Sequence, residues 1–295
     1  MESNYFNIAG HGVCLRFAES TRNSMDLLPA FGTFSVQTVP PTLLFTLTVD
    51  DTLRPRHDRT LIRKFDTGNG DTVVYRLSDG GYQYIIRDIR NRDCSLLICN
   101  EQFTDCHCAL NGDWVMRSFG LNDALMLVYA FAGSFHDTLL MHASTIMHKG
   151  YGYPFIAQSG TGKSTHSALW LKHIDDCELM NDDNPIIRIS PDDGKPYIYG
   201  SPWSGKTPCY RDVSARLGAV VRIERAPANS IELLHGVQAF ASVLPACSSM
   251  KWDETIYNNL CDTVTRVVET TPVYTLHCLP DEEAAQICHR TITRP

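Results

Sequence analysis

Ala157-Gln158-Ser159-Gly160-Thr161-Gly162-Lys163-Ser164 follows an apolar, strand-like segment, Tyr153 to Ala157, and opens a helix-like one, His166 to His173. That strand–loop–helix setting is the one a phosphate-binding P-loop requires. In such a loop the glycines let consecutive backbone N–H groups curl round a polyphosphate. The lysine reaches the β- and γ-phosphates, and the serine hydroxyl can hold Mg²⁺. Ser159, Gly160, Thr161, Gly162, Lys163, Ser164 and Thr165 are therefore expected to bind a nucleoside triphosphate, taken as ATP, with Mg²⁺ at Ser164. The first position is Ala157 where the motif commonly has glycine, which costs some freedom in φ.

Upstream, Leu139 to His148 reads as one strand and Lys149-Gly150-Tyr151-Gly152 as a turn, so the strand feeding the loop is expected to pair antiparallel with the one before it. A turn centred near Gly150-Tyr151 or one residue later puts His142 opposite positions 159 to 161, beside the phosphate loop. There an imidazole could act in catalysis. Downstream, Glu178 to Asp183 reads as a short strand that ends in two carboxylates before Pro185. Asp182 and Asp183 occupy the place of an acid that holds Mg²⁺ or takes a proton from a nucleophile. Gly200-Ser201-Pro202-Trp203-Ser204-Gly205-Lys206-Thr207 then forms a loop that could lie across a substrate, with Lys206 contacting a phosphate.

The remaining chain sets the frame. Its 295 residues carry a net charge of −7, so no basic stripe advertises nucleic acid. No apolar run reaches the length of a membrane span, and Met1-Glu2-Ser3-Asn4-Tyr5 lacks the regions of a signal peptide. A cytoplasmic protein, without a membrane partner and with its 11 cysteines reduced, is expected. Cys94, Cys99, Cys106 and Cys108 cluster without the paired knuckles of zinc sites and read as small buried hydrophobes. Alternation at Gly12–Phe17, Phe34–Val39, Leu43–Val49, Thr72–Leu77 and Tyr82–Ile89, with turn signals at Gly68-Asn69-Gly70 and Asp79-Gly80-Gly81, predicts a small antiparallel β domain over residues 1–118. A helix over Leu121–Phe135 is expected to bridge to a second domain that completes residues 119–295. The fold class is thus α+β: an N-terminal antiparallel β domain, then a mixed-sheet α/β P-loop domain.

Leu140-Met141-His142-Ala143-Ser144, the loop Gln158 to Ser164, and Asn181-Asp182-Asp183, in that order, resemble the catalytic domain of HPr kinase/phosphorylase, whose fold type phosphoenolpyruvate carboxykinase shares. Gly200-Ser201-Pro202-Trp203-Ser204-Gly205 and Val273-Tyr274-Thr275-Leu276 more closely resemble HPr-kinase-related proteins of bacteria. The resemblance covers about residues 138 to 291. It implies an ATP–Mg²⁺ kinase in which Lys163 binds phosphate, Ser164 holds metal, Asp182 or Asp183 is base or metal-associated acid, and His142 pairs with that acid. It also implies a homo-oligomer. Tyr199-Gly200-Ser201-Pro202 stands where the family has an arginine-containing signature, so the acceptor hydroxyl, on a protein, peptide or small molecule, is left open. A nucleotide-binding regulatory protein without turnover and a carboxykinase-like enzyme are the alternatives.

Overall fold

Alternating apolar residues in the N-terminal part build a single sheet, but its strands do not all run antiparallel. The computed structural model describes residues 2–66, 70–205 and 207–293. The chain divides into two units, Met1–Phe135 and His136–Pro295. Gly68 and Asn69 of the first turn signal lie outside the described residues.

Among the described residues the first unit has nine strands: β1 (Glu2–Ile8), β2 (His11–Phe17), β3 (Ser35–Val36), β4 (Leu43–Val49), β5 (Arg59–Asp66), β6 (Asp71–Leu77), β7 (Tyr82–Arg87), β8 (Asp93–Cys99) and β9 (Asp105–Leu110). Their order is β3-β1-β2-β4-β9-β8-β7-β6-β5. β4 pairs parallel with both β2 and β9, so the sheet is mixed and the expectation of a purely antiparallel domain is corrected. The cause lies in the connections. The chain leaves β2 through a long segment with 3-10 turns at Met25–Leu27 and Pro29–Phe34, so the next strand can return in the same direction. Those turns also replace most of the strand expected over Phe34–Val39. Phe31 and Phe34 are buried from helical geometry instead, and only two residues remain extended. The charged edge strand β5 and the cysteine-bearing β8 show no clean alternation, whereas β9 does alternate, with Cys106, Cys108 and Leu110 buried. Cys94, Cys99, Cys106 and Cys108 are all buried on β8 and β9, and burial pushes the Cys94 thiol up to about 11.

Helix α1 (Trp114–Gly133) closes this unit. Asp113 caps it by accepting from the Met116 N–H at 3.0 Å, which starts the helix seven residues before the expected Leu121. It packs on its own unit's sheet: Ser95 Oγ donates to the Gly120 carbonyl (3.0 Å), Tyr129 Oη donates to the Ile8 carbonyl (3.0 Å), and Phe131 meets Phe103 edge-on at 5.3 Å. The helix expected to bridge the two units therefore belongs with the first, and the division falls at 135/136 in place of 118/119. Among the described residues no helix is long and apolar enough to cross a membrane.

Among the described residues the second unit is a ten-stranded mixed sheet between two helix layers. Its strands are β10 (Thr138–Leu140), β11 (Ala143–His148), β12 (Tyr151–Ile156), β13 (Cys177–Asp183), β14 (Ile186–Ile189), β15 (Pro196–Tyr199), β16 (Ser214–Leu217), β17 (Val220–Arg225), β18 (Ser230–Leu234) and β19 (Val273–Cys278). The helices are α2 (Lys163–His173), α3 (Gly236–Val243), α4 (Glu254–Thr270) and α5 (Glu282–Ile292). Strand period two sorts the core. Ile156, Val220 and Val273 face Val243, Leu260 and Val264 of α3 and α4. Tyr153, Phe155, Val221, Ile223 and Leu276 face Trp170 of α2 and Ala285 and Cys288 of α5. Trp170 Nε1 donates to His166 Nε2 at 3.1 Å, and the His166 ring meets Phe155 edge-on at 4.7 Å.

Two measurements follow from this packing. A Cβ at Gly120 would lie 2.9 Å from the Cys94 carbonyl, a main-chain atom that cannot swing away. Gly120→Ala is therefore expected to lower stability by about 1–3 kcal/mol by denaturant unfolding, although alanine gains about 1 kcal/mol of helix propensity. His166 is held neutral by burial, which pushes its pKa from 6.5 down to about 4. The unfolded chain binds the extra proton, so the contribution of the neutral ring is complete above pH 6.5 and is lost as pH falls toward 4. Between pH 7 and pH 4 the wild type should lose about 3 kcal/mol more than His166→Gln, read from urea midpoints at each pH.

Candidate functional site

The β11–β12 hairpin positions the loop. His148 pairs with Tyr151, so the turn is the two residues Lys149 and Gly150, at φ 48° and 79°, the geometry that matches strand twist. Ala143 then faces Ile156, so the ladder extrapolates to His142 opposite Ala157, short of the expected 159–161. The imidazole still reaches the loop. The His142 N–H donates to the Ala246 carbonyl at 2.7 Å, which draws the residue off the ladder, and its Nε2 lies 2.8 Å from Lys163 Nζ.

Between β12 and α2 the chain curls through residues 157–162. Gly160 (φ 78°) and Gly162 (φ 127°) take backbone conformations that side chains disfavour, while Ala157 does not need one. The Thr161 N–H donates to the Gln158 carbonyl at 3.1 Å and closes the turn. No side chain caps α2, so the first-turn N–H groups of Lys163, Ser164 and Thr165 are left as an anion cradle. Lys163 Nζ also donates to the Ala157 carbonyl at 3.5 Å. Burial lowers the Lys163 pKa, with Asp183 and then Asp182 acting in the opposite direction.

The carboxylates arrive on β13, which pairs antiparallel with β11. Asp182 is buried, and its Oδ1 accepts from Ser164 Oγ at 2.9 Å. Asp183 is half-buried; its Oδ1 lies 3.0 Å from His142 Nδ1, and its Oδ2 accepts from Asn184 Nδ2 at 2.9 Å. Lys163 donates to His142 Nε2, which leaves Nδ1 as the protonated nitrogen, donating to Asp183. One neutral imidazole thus links the loop lysine to the second carboxylate. Asp183 also has φ 142°, a conformation that costs a non-glycine residue of order 1–3 kcal/mol. Residues around it enforce that conformation. Asp183 bridges to Ser204, and the Gly205 N–H and Ser204 Oγ both donate to the Asp182 carbonyl. Buried Asn181, one residue before the pair, donates through Nδ2 to the Trp203 carbonyl (2.9 Å) and Ser201 Oγ (3.2 Å). The Gly200–Gly205 loop is therefore bound to the acid strand, while Lys206 lies outside the described residues.

Ser164 Oγ and the Asp182 carboxylate form an all-oxygen pair that suits Mg²⁺, which takes one or two carboxylates together with phosphate oxygens and water. Among the described residues no group of three or more His, Cys, Asp or Glu could hold a metal by itself. The donors at this site therefore match an ion that shares a phosphate.

Two clefts flank the loop on the β17 side. One, of 530 Å³, has an apolar wall of Leu169, Ile223, Ala226, Cys278, Leu279 and Pro280 beside Gly162 and Thr165. The other, of 410 Å³, runs along Gln158–Thr161 and is walled by Arg222, Glu224 and Arg225. Arg225, which the sequence reading did not single out, donates from Nη2 to the Gly160 carbonyl (2.6 Å) and from Nε to the Thr161 carbonyl (3.1 Å). Its distance from the motif in sequence hides it; a charged residue at the C-terminal end of a strand neighbouring the P-loop strand was the available signal. Asn181 was visible only as part of the family resemblance.

No family model and no curated protein sequence matches the chain. A solved structure of the Hpr(Ser) kinase/phosphatase from Coxiella burnetii aligns with 51% of this chain and 86% of that one, at a TM-score of 0.29 and 9% identity. A superposition that loose carries no argument about this chain.

The strain at Asp183 can be measured directly. Asp183→Ala and Asp183→Gly both remove the carboxylate, and only glycine accepts φ 142° freely. The glycine variant should be the more stable of the two by about 1–2 kcal/mol in denaturant unfolding. Equal stabilities would show that the backbone is not strained.

Proposed function

We propose that this protein is an ATP- and Mg²⁺-dependent phosphotransferase that phosphorylates a hydroxyl group. The observation that carries this reading is the convergence of Asp182, His142 and Asp183 on the loop: Ser164 is hydrogen-bonded to Asp182, and Lys163 is linked through His142 to Asp183. The uncapped start of α2 and the two loop glycines supply the amide cradle for the β- and γ-phosphates. The apolar cleft beside Thr165 offers room for the nucleoside. Mg²⁺, held through Ser164 and Asp182, would supply charge neutralisation on the phosphates.

Asp183 is the base in this reading. The acceptor oxygen attacks the γ-phosphorus, the bond from that phosphorus to the β,γ-bridging oxygen breaks, and the hydroxyl proton passes to the Asp183 carboxylate. His142 Nδ1–H keeps the other lone pairs of that carboxylate oriented, and Lys163 keeps the imidazole in the required tautomer. The strained backbone serves the same end, since it aims Asp183 while β13 is pinned by Asn181 and the Gly200–Gly205 loop.

Labelled ATP incubated with the protein and a host lysate tests the reading. Lys163→Ala should abolish ATP turnover. Asp183→Asn should slow transfer by about 10²–10⁴-fold, the range of a lost general base, while nucleotide binding is retained. A labelled band would identify a protein acceptor, and label among small molecules a metabolite. Undiminished transfer in both variants would reject this mechanism, and ATP binding by the wild type with no transfer would leave a nucleotide-binding regulatory protein.

A further inference from the structure

The electrostatics of the phosphate loop do not balance with the residues of the motif alone. Two carboxylates, Asp182 and Asp183, sit against one lysine, and that lysine is engaged by His142. The whole chain is net negative at −7. A polyanionic triphosphate entering this site needs positive charge beyond Lys163, and Mg²⁺ shared with Asp182 offsets only part of the deficit.

Among the described residues two further cations border the loop. Arg222 lies on the α3/α4 face of β17, and its Nε pairs with Glu224 at 3.0 Å, so its charge is cancelled locally. Arg225 differs. Its hydrogen bonds go to the Gly160 and Thr161 carbonyls, neutral acceptors that leave its charge uncancelled. It is exposed at the C-terminal end of β17 and borders both clefts beside the loop. The direction of its bonds matters as much as its charge. A phosphate is bound by loop N–H groups, and any carbonyl that rotates inward would repel it. The guanidinium fork grips two consecutive loop carbonyls and ties them to the end of β17.

We propose that Arg225 is the second cation of the phosphate site and its positioning residue: it fixes the Gly160 and Thr161 carbonyls outward so that the loop amides face the phosphates, and it adds its own charge to that of Lys163. This rests on the nucleotide-binding reading above. It extends that reading to a residue sixty positions beyond the motif, on a neighbouring strand.

The test is equilibrium binding of a fluorescent ATP analogue with Mg²⁺, beside the thermal unfolding midpoint of each protein. Arg225→Gln should weaken binding by more than about fivefold, the scale of one lost charge-assisted hydrogen bond, with little change in the midpoint because the side chain is exposed. Arg222→Gln removes the same formal charge nearby and should bind within about twofold of the wild type. A loss below about fivefold in Arg225→Gln, or an equal loss in Arg222→Gln, would overturn the proposal. Should the glutamine variant fail to fold, Arg225→Ala is read by the same criterion. If the wild type itself binds no nucleotide, the functional reading fails and this proposal falls with it, whereas a wild type that binds and an Arg225→Gln variant that binds equally well overturn this proposal alone.

Discussion

Strand β11 lies between β12, which leads into the glycine loop, and β13, which ends in the acid pair, and its register to each brings the two together. β12 leaves it through a two-residue turn, and β13 returns beside it, so Ala143 faces Ile156 on one side and Asp183 on the other. One rung beyond, His142 is left at the strand end between the two, within hydrogen-bond distance of Lys163 and Asp183. A register slip of one residue on either side would turn every side chain to the opposite face. The apolar sorting of the sheet prevents this, because Ile156 and Phe155 are committed to different helix layers. The core thus fixes the site indirectly, by making the alternative registers expensive.

Several features of the site are unfavourable by themselves. Asp182 is buried next to a second carboxylate, Asp183 has a backbone conformation suited to glycine, and α2 begins without a side-chain cap. Each would raise the free energy of an isolated segment by an amount comparable to a single good hydrogen bond. They persist because surrounding contacts are numerous and rigid. The Gly200–Gly205 loop is bound to β13 through Asn181, Ser201 and Ser204, and the lysine–imidazole–carboxylate chain orders what remains. The proposed phosphotransfer site calls for such a combination of local cost and external support, since a preorganised cradle and base are in place before any substrate arrives.

The N-terminal unit follows a different logic. Its β2 and β9 flank β4 in parallel, which is only reached by long connections, and α1 is anchored by Phe131 in an aromatic cluster with Tyr84 and Phe103. Alternation located β2, β4, β6 and β7 and the short β3. It missed β5, an edge strand of charged residues, β8, whose near-continuous apolar run carries no period, and also β1 and β9. Strand direction was beyond it altogether, because period two is the same in parallel and antiparallel pairing. The body of α1 was legible, but neither its start behind Asp113, seven residues before the expected Leu121, nor the unit it packs against was.

By itself the sequence determined the glycine loop, its flanking strand and helix, and the place of the acid pair at a strand end, because each depends on neighbours within a few positions: glycine conformations, a helix start, a proline that ends a strand. It also indicated that His142 lies near the loop, since a hairpin relates distant residues through one short turn. Only the tertiary structure decided the rest. Asp183's strained backbone arises from a bridge to Ser204, and Asn181's role from bonds to Trp203. Arg225 meets Gly160 and Thr161 because β17 packs alongside β12. Those contacts join segments separated by some twenty to sixty residues, and no local propensity encodes which strand will lie beside which.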